Sequence, residues 1–146
     1  MAKMFMATSK AEAIHAENHK KVLEKLGEKV DAPEIGSFEV KTTAENLADA
    51  IGGETYEIET MYPGFIAVAD SEAAKDAVKS FTWALDTEKK HQQFYQHALE
   101  TIGGGTETGL SLGWYVCPVC GNTYDAASVK PECDFCKTKQ EKFFVF

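Results

Sequence analysis

Three pairs of metal-ligating residues constrain this chain more than any other feature of its sequence. Each pair begins with a glutamate, and a second candidate ligand follows three positions later. The pairs are Glu12 with His15, Glu54 with Glu57, and Glu88 with His91. Because positions i and i+3 share one face of a helix, each pair can direct both side chains at one ion. The spacing therefore predicts three helices that carry ligands into a common interior, as in carboxylate-bridged helical bundles.

Apolar residues at spacings of three and four predict where these helices lie. The helices are predicted over residues 1–26, from a cap at Thr42 or Thr43 to Ala69, and from a cap at Ser71 to Ile102. Pro63 falls inside the second helix and predicts a kink. Residues 28–41 contain the helix breaker Pro33, and a connection of this length suits a crossover between helical pairs.

A second metal site is predicted from two C-x-x-C pairs near the end of the chain. They are formed by Cys117 with Cys120 and by Cys133 with Cys136. Four thiolates at this spacing can surround one tetrahedral ion, and the spacing itself does not choose between iron and zinc. Gly121 permits a tight turn after the first pair. Strands are predicted at residues 114–116 and 142–146, with a loop between them, and a flexible glycine-rich linker at 103–113.

The charge and hydropathy of the chain exclude several functional classes. It carries 23 acidic and 15 basic residues, a formal charge of −8, which argues against a basic nucleic-acid-binding surface. No apolar run approaches the roughly 20 residues that a membrane helix needs, and the first residues do not resemble a signal peptide. We therefore predict a protein without nucleic-acid or membrane partners, whose cysteines bind metal rather than form disulfides.

Two further residues are candidates near the carboxylate site. Tyr62 lies five residues after Glu57 and is predicted either to pack in the core or to hydrogen-bond to a ligand or a bound oxidant. His19 shares the helical face of His15 and is predicted to lie just behind the ligands, whereas His97 is predicted to lie on the surface.

With these motifs the chain resembles the rubrerythrin family over nearly its whole length. Residues 11–19, 53–63 and 88–91 resemble the family's second, third and fourth helices, and residues 115–121 and 141–145 resemble its rubredoxin domain. The resemblance implies a mainly α fold. A partial ferritin-like di-iron bundle would occupy residues 1–102, a linker 103–113, and a small rubredoxin-like β and metal-knuckle domain 114–146.

The resemblance also implies a function. It suggests a non-haem di-iron peroxidase that reduces hydrogen peroxide to water in oxidative-stress defence, in the cytoplasm. Electrons would come from an external donor, such as an NAD(P)H-dependent reductase or a rubredoxin, through the four-thiolate iron. A homodimer or larger, domain-swapped assembly is expected, and a partner subunit would bring the two metal sites close together.

Residue by residue, the resemblance assigns roles to the motifs. Glu12 and Glu88 would bridge two irons, with His15, His91 and Glu54 as terminal ligands. Glu57 would be the carboxylate that exchanges with His15 on reduction, and Tyr62 would assist the reaction. Cys117, Cys120, Cys133 and Cys136 would hold the third iron, with zinc as the alternative.

Two departures from the family pattern keep alternatives open. The second cysteine knuckle, residues 133–137, lacks the family's usual proline and glycine. The family's first helix, with its glutamate ligand, has no counterpart here, and is expected from a missing N-terminal segment, from another chain, or by pairing of two copies. The alternatives are an iron-binding or electron-transfer module with a degenerate di-iron site, and a colourless zinc-ribbon scaffold.

Overall fold

A computed structural model of the protein describes residues 1–31, 34, 36–37, 39–105 and 109–146. The predicted breaker Pro33 and part of the predicted linker, residues 106–108, lie outside the described residues. The described helices are α1 (Ala2–Lys25), α2 (Thr43–Tyr56), α3 (Tyr62–Ser71) and α4 (Lys75–Gly103), and a π-helical turn (Glu57–Met61) joins α2 to α3. None of these helices has the combined length and apolarity needed to cross a membrane.

Helix α1 forms where the periodicity predicts it, within one residue at each end. Its buried face consists of Met4, Ala7, Ala11 and His15, together with Thr8. These positions recur every three or four residues, so one stripe of the helix is buried and the rest is exposed. His15 therefore extends the apolar stripe into the interior of the bundle.

The second predicted helix is observed as α2 and α3 in one continuous run. Thr42 caps it, since its hydroxyl accepts from the amide of Glu45 while the Glu45 carboxylate accepts from the amide of Thr42. A π turn that was not predicted lies ahead of Pro63, and in it the amide of Tyr62 bonds to the carbonyl of Glu57. Pro63 itself lies in the first turn of α3, and the kink predicted there stays a prediction. A π turn holds one extra residue and is frequent at functional sites.

The predicted cap at Ser71 is wrong. The Ser71 hydroxyl donates to the carbonyl of Val68 at 2.7 Å, so it closes α3 and does not open α4. The chain then turns through Ala73, at φ +56, and α4 begins at Lys75 without a side-chain cap. The predicted end of this helix at Ile102 is confirmed within one residue.

A small antiparallel sheet follows in the last part of the chain. Its strands are β1 (Trp114–Val116), β2 (Thr123–Asp125) and β3 (Phe144–Val145), in the order β2-β1-β3. The predicted first strand is confirmed and the predicted closing strand is shorter than expected. Strand β2 lies where a loop was predicted. The predicted mainly α fold with a small cysteine-bearing β module is confirmed.

The sheet packs against the helices rather than standing apart from them. Trp114 and Val116 belong to the same hydrophobic cluster as Met4, Leu47 and Tyr95 of the bundle. Burying these apolar side chains together stabilises the contact by roughly 25 cal/mol per Å² of apolar surface removed from water. The cysteine module therefore has a fixed position over α1 and α4.

Candidate metal centres

Glu88 lies at the centre of a group of carboxylates and imidazoles. Its Oε1 is 3.0 Å from Nδ1 of His15, and its Oε2 is 3.0 Å from Nδ1 of His91. The two oxygens of Glu12 lie 3.4 Å and 3.2 Å from the same two nitrogens. Each carboxylate thus offers one oxygen to each imidazole. This arrangement suits two cations side by side, with both carboxylates between them.

Glu54 completes the group from α2. Its Oε1 lies 3.5 Å from Nδ1 of His91, and ligand atoms of Glu12, Glu54, Glu88 and His91 all lie within 4.8 Å of one another. The structure therefore brings together ligands from α1, α2 and α4. Their individual roles as bridging or terminal ligands stay predictions.

Unpartnered polar atoms show that this site fits cations. Among the described residues, the buried side-chain atoms without a hydrogen bond are Nε2 of His15, Oε2 of Glu54, both carboxylate oxygens of Glu88 and Nδ1 of His91. Buried polar groups are nearly always paired, so a cluster of unpaired ones needs an explanation. All of these atoms belong to predicted ligand side chains, although in His15 it is Nδ1, and not the unpartnered Nε2, that faces Glu12 and Glu88. Carboxylate oxygen and imidazole nitrogen are donors that suit non-haem iron.

Protons compensate the negative charge when no cation is bound. Burial alone would lower the pKa of His91, but the facing carboxylates of Glu12, Glu54 and Glu88 raise it well above 6.5. Burial would likewise lower the pKa of His15, but the carboxylates of Glu12 and Glu88 raise it to about 9. Burial raises the pKa of Glu54. Positive charge therefore belongs at this site, either on the imidazoles or on bound metal.

Glu57 lies beside the group but not in it. It is half-buried at the first residue of the π turn, and among the described residues its side chain makes no hydrogen bond. Burial, followed by the negative charges of Glu88, Glu12 and Glu54, raises its pKa to about 8. Its role as a carboxylate that exchanges with His15 stays a prediction.

Tyr62 is buried, and its hydroxyl faces His19. The Tyr62 oxygen lies 3.4 Å from Nε2 of His19, and no hydrogen bond to a carboxylate is present among the described residues. Burial and the charges of Glu88 and Glu57 raise the pKa of Tyr62 well above its usual value of 10. The described hydrogen bonds of His19 go to Ser80 and Tyr62, so its place just behind the ligands stays a prediction, whereas His97 is exposed as predicted.

The four cysteine sulfurs converge as the spacing predicts. Sγ of Cys117 lies 3.3 Å from that of Cys136, and Sγ of Cys120 lies 3.4 Å from that of Cys133. All four sulfurs lie within 4.8 Å of one another. Contacts with Cys117 and Cys133, and then burial, raise the pKa of Cys120. Crowded thiols of this kind fit a tetrahedral cation that holds all four as thiolates.

The two knuckles have the same turn despite different sequences. The amide of Gly121 bonds to the carbonyl of Cys117 at 3.0 Å, and the amide of Lys137 bonds to the carbonyl of Cys133 at 3.1 Å. Gly121 has φ +79 and Lys137 has φ +62. A lysine in this left-handed region costs about 1–2 kcal/mol more than a glycine would. The knuckle geometry therefore survives the loss of the family's usual glycine.

The cysteine module sits directly on the two histidines. A Cβ on Gly121 would overlap the ring of His15, so only glycine fits this contact. The Thr123 hydroxyl donates to the carbonyl of Gly121 at 3.0 Å and lies 2.9 Å from Nε2 of His91. Because its proton is used there, Thr123 accepts from Nε2–H, which leaves Nδ1 of His91 free to bind metal.

Polar contacts at the edges hold the same interface. Lys90 donates to Oδ1 of Asn122 at 2.6 Å, and Asn18 donates to the carbonyl of Val119 at 2.8 Å. Within this one chain the cysteine module and the helical site are already in contact, and a partner subunit as the source of their approach stays a prediction. Sequence reasoning missed Lys90, Asn122 and Thr123 because they follow no ligand spacing. Their one signal is that Asn122 and Thr123 come directly after the first knuckle.

Comparison with known proteins places these sites in context. The family model described as Rubrerythrin matches residues 1–99. Rubrerythrin-2 of Clostridium acetobutylicum is 32% identical over 148 residues, which cover 100% of this chain and 78% of that protein. Nigerythrin of Nitratidesulfovibrio vulgaris is 27% identical over 146 residues, or 100% of this chain and 70% of that protein. The solved structure of fully reduced, all-ferrous nigerythrin is similar with a TM-score of 0.86 and 27% identity, over 99% of this chain and 69% of that one.

Proposed function

The chain belongs to the rubrerythrin family, and on that premise we propose that it is a non-haem di-iron peroxidase that reduces hydrogen peroxide to water in oxidative-stress defence. The observation that carries the proposal is the cluster of unpartnered carboxylate and imidazole atoms around Glu88, which the cysteine module contacts directly. The family's two irons and its rubredoxin-like iron fit these two groups of side chains.

The chain's carboxylates and imidazoles would hold the irons and balance their charge. Glu12 and Glu88 each span the two histidines, which supports them as the residues that would bridge the two irons. His15 and His91 would be terminal ligands, and Glu54 would join His91. When bound, two ferrous ions supply the two electrons that convert one hydrogen peroxide and two protons into two waters.

Glu57 and Tyr62 would assist from the rim of this group. Glu57 has no competing hydrogen bond among the described residues, and so it is available to exchange with His15 when the charge of the site changes. Tyr62 keeps its proton at neutral pH, because burial and nearby carboxylates oppose its ionisation. It is therefore suited to donate that proton to an oxygen in the pocket.

The cysteine module would relay single electrons to the di-iron site within one chain. One connection leads from Cys120 to Gly121, through the Thr123 hydroxyl, to His91. An external donor, such as an NAD(P)H-dependent reductase or a rubredoxin, would reduce the thiolate-bound iron. Free thiol ligands of this kind suit the reducing cytoplasm, where we propose that the protein acts.

Peroxide turnover by the iron-loaded chain tests the proposal. The thiolate site is reduced without oxygen, peroxide is added, and the return of its visible absorption is followed together with peroxide loss. We expect turnover in the native chain and a loss of at least about 100-fold in Glu88→Ala, because removal of a bridging carboxylate leaves the site unable to hold two cations. Glu100→Ala, which removes an exposed carboxylate from the same helix, is the matched control.

The alternatives predict different results in the same experiment. An electron carrier with a degenerate helical site would keep its thiolate-iron absorption, and Glu88→Ala would leave any peroxide loss unchanged. A zinc-bound scaffold would be colourless as purified. Either result would overturn the peroxidase proposal.

A further inference from the structure

His19 is a buried histidine that the metal sites do not use. Its Nδ1 lies 2.8 Å from the hydroxyl of Ser80, and its Nε2 lies 3.4 Å from the hydroxyl of Tyr62. The ring of Phe81 packs on the imidazole at a centroid distance of 5.0 Å. Both ring nitrogens are therefore engaged, on opposite sides of a ring whose orientation is fixed by packing.

The outer end of this chain of hydrogen bonds reaches a surface cavity. Ser80 lines a cavity of about 490 Å³ that opens between α1 and α4 and is also bordered by Lys21, Lys25 and Trp83. Ser80 itself is 8% exposed. Water in this cavity can therefore exchange protons with the serine hydroxyl.

The inner end reaches the carboxylate group. Tyr62 is 4% exposed, and its amide bonds to the carbonyl of Glu57 in the run of helix that also carries Glu54. Of the three residues Tyr62 is therefore the one on the helix that supplies carboxylates to the metal site, and its hydroxyl is the inner end of the path.

We propose that Ser80, His19 and Tyr62 form a proton path from the surface cavity to the di-iron pocket. The proposal rests on the peroxidase function and specifies how its protons arrive. Tyr62 is the residue that touches the reacting oxygen, whereas His19 and Ser80 act through it as relay residues.

Each passage along the path moves one proton from the cavity to the reacting oxygen. The Tyr62 O–H bond breaks and its proton joins the reacting oxygen. The Nε2–H proton of His19 then moves to the tyrosine oxygen, Nδ1 takes the proton of Ser80, and water in the cavity restores the serine hydroxyl. No electrons move along this path. One passage supplies one of the two protons that peroxide needs and leaves His19 with its proton on Nδ1, so the ring must regain the Nε2–H tautomer before the path can operate again.

A neutral imidazole is what such a relay requires, since it has one N–H and one lone pair. Burial, and then the positive charge of His15, lower the pKa of His19 to about 4. Inward transfer also requires the proton on Nε2, with Ser80 donating to Nδ1. In the opposite tautomer the proton is on Nδ1 and Nε2 is an acceptor, so the Tyr62 hydroxyl would donate outward to His19.

Peroxide kinetics of the iron-loaded full chain test the path. Glutamine can hydrogen-bond but cannot pass a proton between two ring nitrogens. In His19→Gln we expect kcat to fall about 100-fold, at the low end of general acid–base contributions. KM and iron content should be unchanged, and the solvent isotope effect on kcat should increase. In His19→Ala, added imidazole should restore part of the loss. His97→Gln, which replaces an exposed histidine of α4, should match the native chain.

A second readout does not depend on turnover. Nitrogen NMR of the metal-free full chain at pH 7 should show neutral His19 with its proton on Nε2. A doubly protonated ring or the Nδ1–H tautomer would overturn the path. So would an unchanged kcat and isotope effect in His19→Gln, or a loss that imidazole does not restore. If the native chain reduces no peroxide, the function fails, and the proton path as a peroxidase device fails with it. If the native chain reduces peroxide and kcat falls only in His19→Gln and His19→Ala, both the peroxidase function and the proton path are supported.

Discussion

Nε2 of His91 lies 2.9 Å from the hydroxyl oxygen of Thr123, and this contact joins the two metal sites of one chain. His91 faces Glu88 with its other nitrogen, and Thr123 is bonded to the carbonyl of Gly121 beside a cysteine ligand. One hydroxyl therefore orients a ligand of one site and touches the backbone of the other.

Thr123→Val removes this hydroxyl and keeps the size of the side chain. We expect the free energy of unfolding to fall by about 1–3 kcal/mol, because Nε2 of His91 and the carbonyl of Gly121 are left buried and unpaired. Reoxidation of the reduced thiolate iron by peroxide should slow while iron content stays the same, which stopped-flow absorbance measures. Thr101→Val, whose hydroxyl bonds only to a backbone carbonyl of its own helix, is the control. An unchanged reoxidation rate would contradict the relay through Thr123.

Gly121→Ala should push the cysteine module away from the helical bundle. The added Cβ would overlap the His15 ring, and overpacking of this kind costs about 1–3 kcal/mol. Gly109→Ala is a close control, because Gly109 also has positive φ but nothing within 4 Å of its Cβ position. We expect Gly121→Ala to be less stable than this control by about that amount, and its thiolate iron to be reoxidised more slowly. Equal stability of the two variants in urea would show that the contact does not form.

The sequence predicts the elements of this structure better than their assembly. Helix α1 and the cap at Thr42 follow from periodicity and from a reciprocal pair of hydrogen bonds, which are local effects. The helix cap predicted at Ser71 was wrong, because a serine hydroxyl can end the preceding helix as well as begin the next. The π turn at Glu57–Met61 was not predicted, since the insertion of an extra residue into a helix depends on tertiary packing.

For the candidate sites, too, the sequence predicts the separate ligand groups better than the way they are assembled. Ligand spacing places Glu12, Glu54, Glu88 and His91 in one group, because each motif already fixes a helical face. The docking of the cysteine module could not be predicted, since it depends on surface complementarity between Gly121 and the bundle. A homodimer, and a further carboxylate supplied from outside the residues present here, stay predictions.

Lys90 should tune the thiolate-bound iron. Its ammonium lies 4.4 Å from the ring centroid of Tyr124 and 2.6 Å from Asn122, whose amide donates to the sulfur of Cys133. A nearby cation favours the more negative, reduced state of the site, and hydrogen bonds to sulfur act in the same direction. Lys90→Met should therefore lower the midpoint potential in a spectroelectrochemical titration. Lys89→Met, which removes an exposed charge on the same helix, should leave it nearly unchanged, and equal shifts would contradict the assignment.

A rise in pH should lower the stability of the metal-free chain and raise its affinity for metal. In the metal-free chain the pKa of His15 is about 9 and that of Glu57 about 8, both above their ordinary values of 6.5 and 4.5. Protonation therefore stabilises the metal-free fold at low pH. The Glu57 contribution is lost as pH rises toward 8, and that of His15 as pH rises from 6.5 through 9. The Tm of the metal-free chain should fall over this window.

The affinity for ferrous iron or cobalt(II) should instead rise with pH up to about 9. A cation must displace the protons of His15 and Glu57 before these groups can bind it, so binding releases protons at neutral pH. Anaerobic competition with a chelator at a series of pH values measures the slope, and calorimetry in buffers of different ionisation enthalpy counts the protons. His15→Gln should flatten the dependence between pH 7 and 9, whereas His97→Gln should not. An affinity that is independent of pH over this range would mean that His15 is neutral before metal binds, which the facing carboxylates of Glu12 and Glu88 oppose.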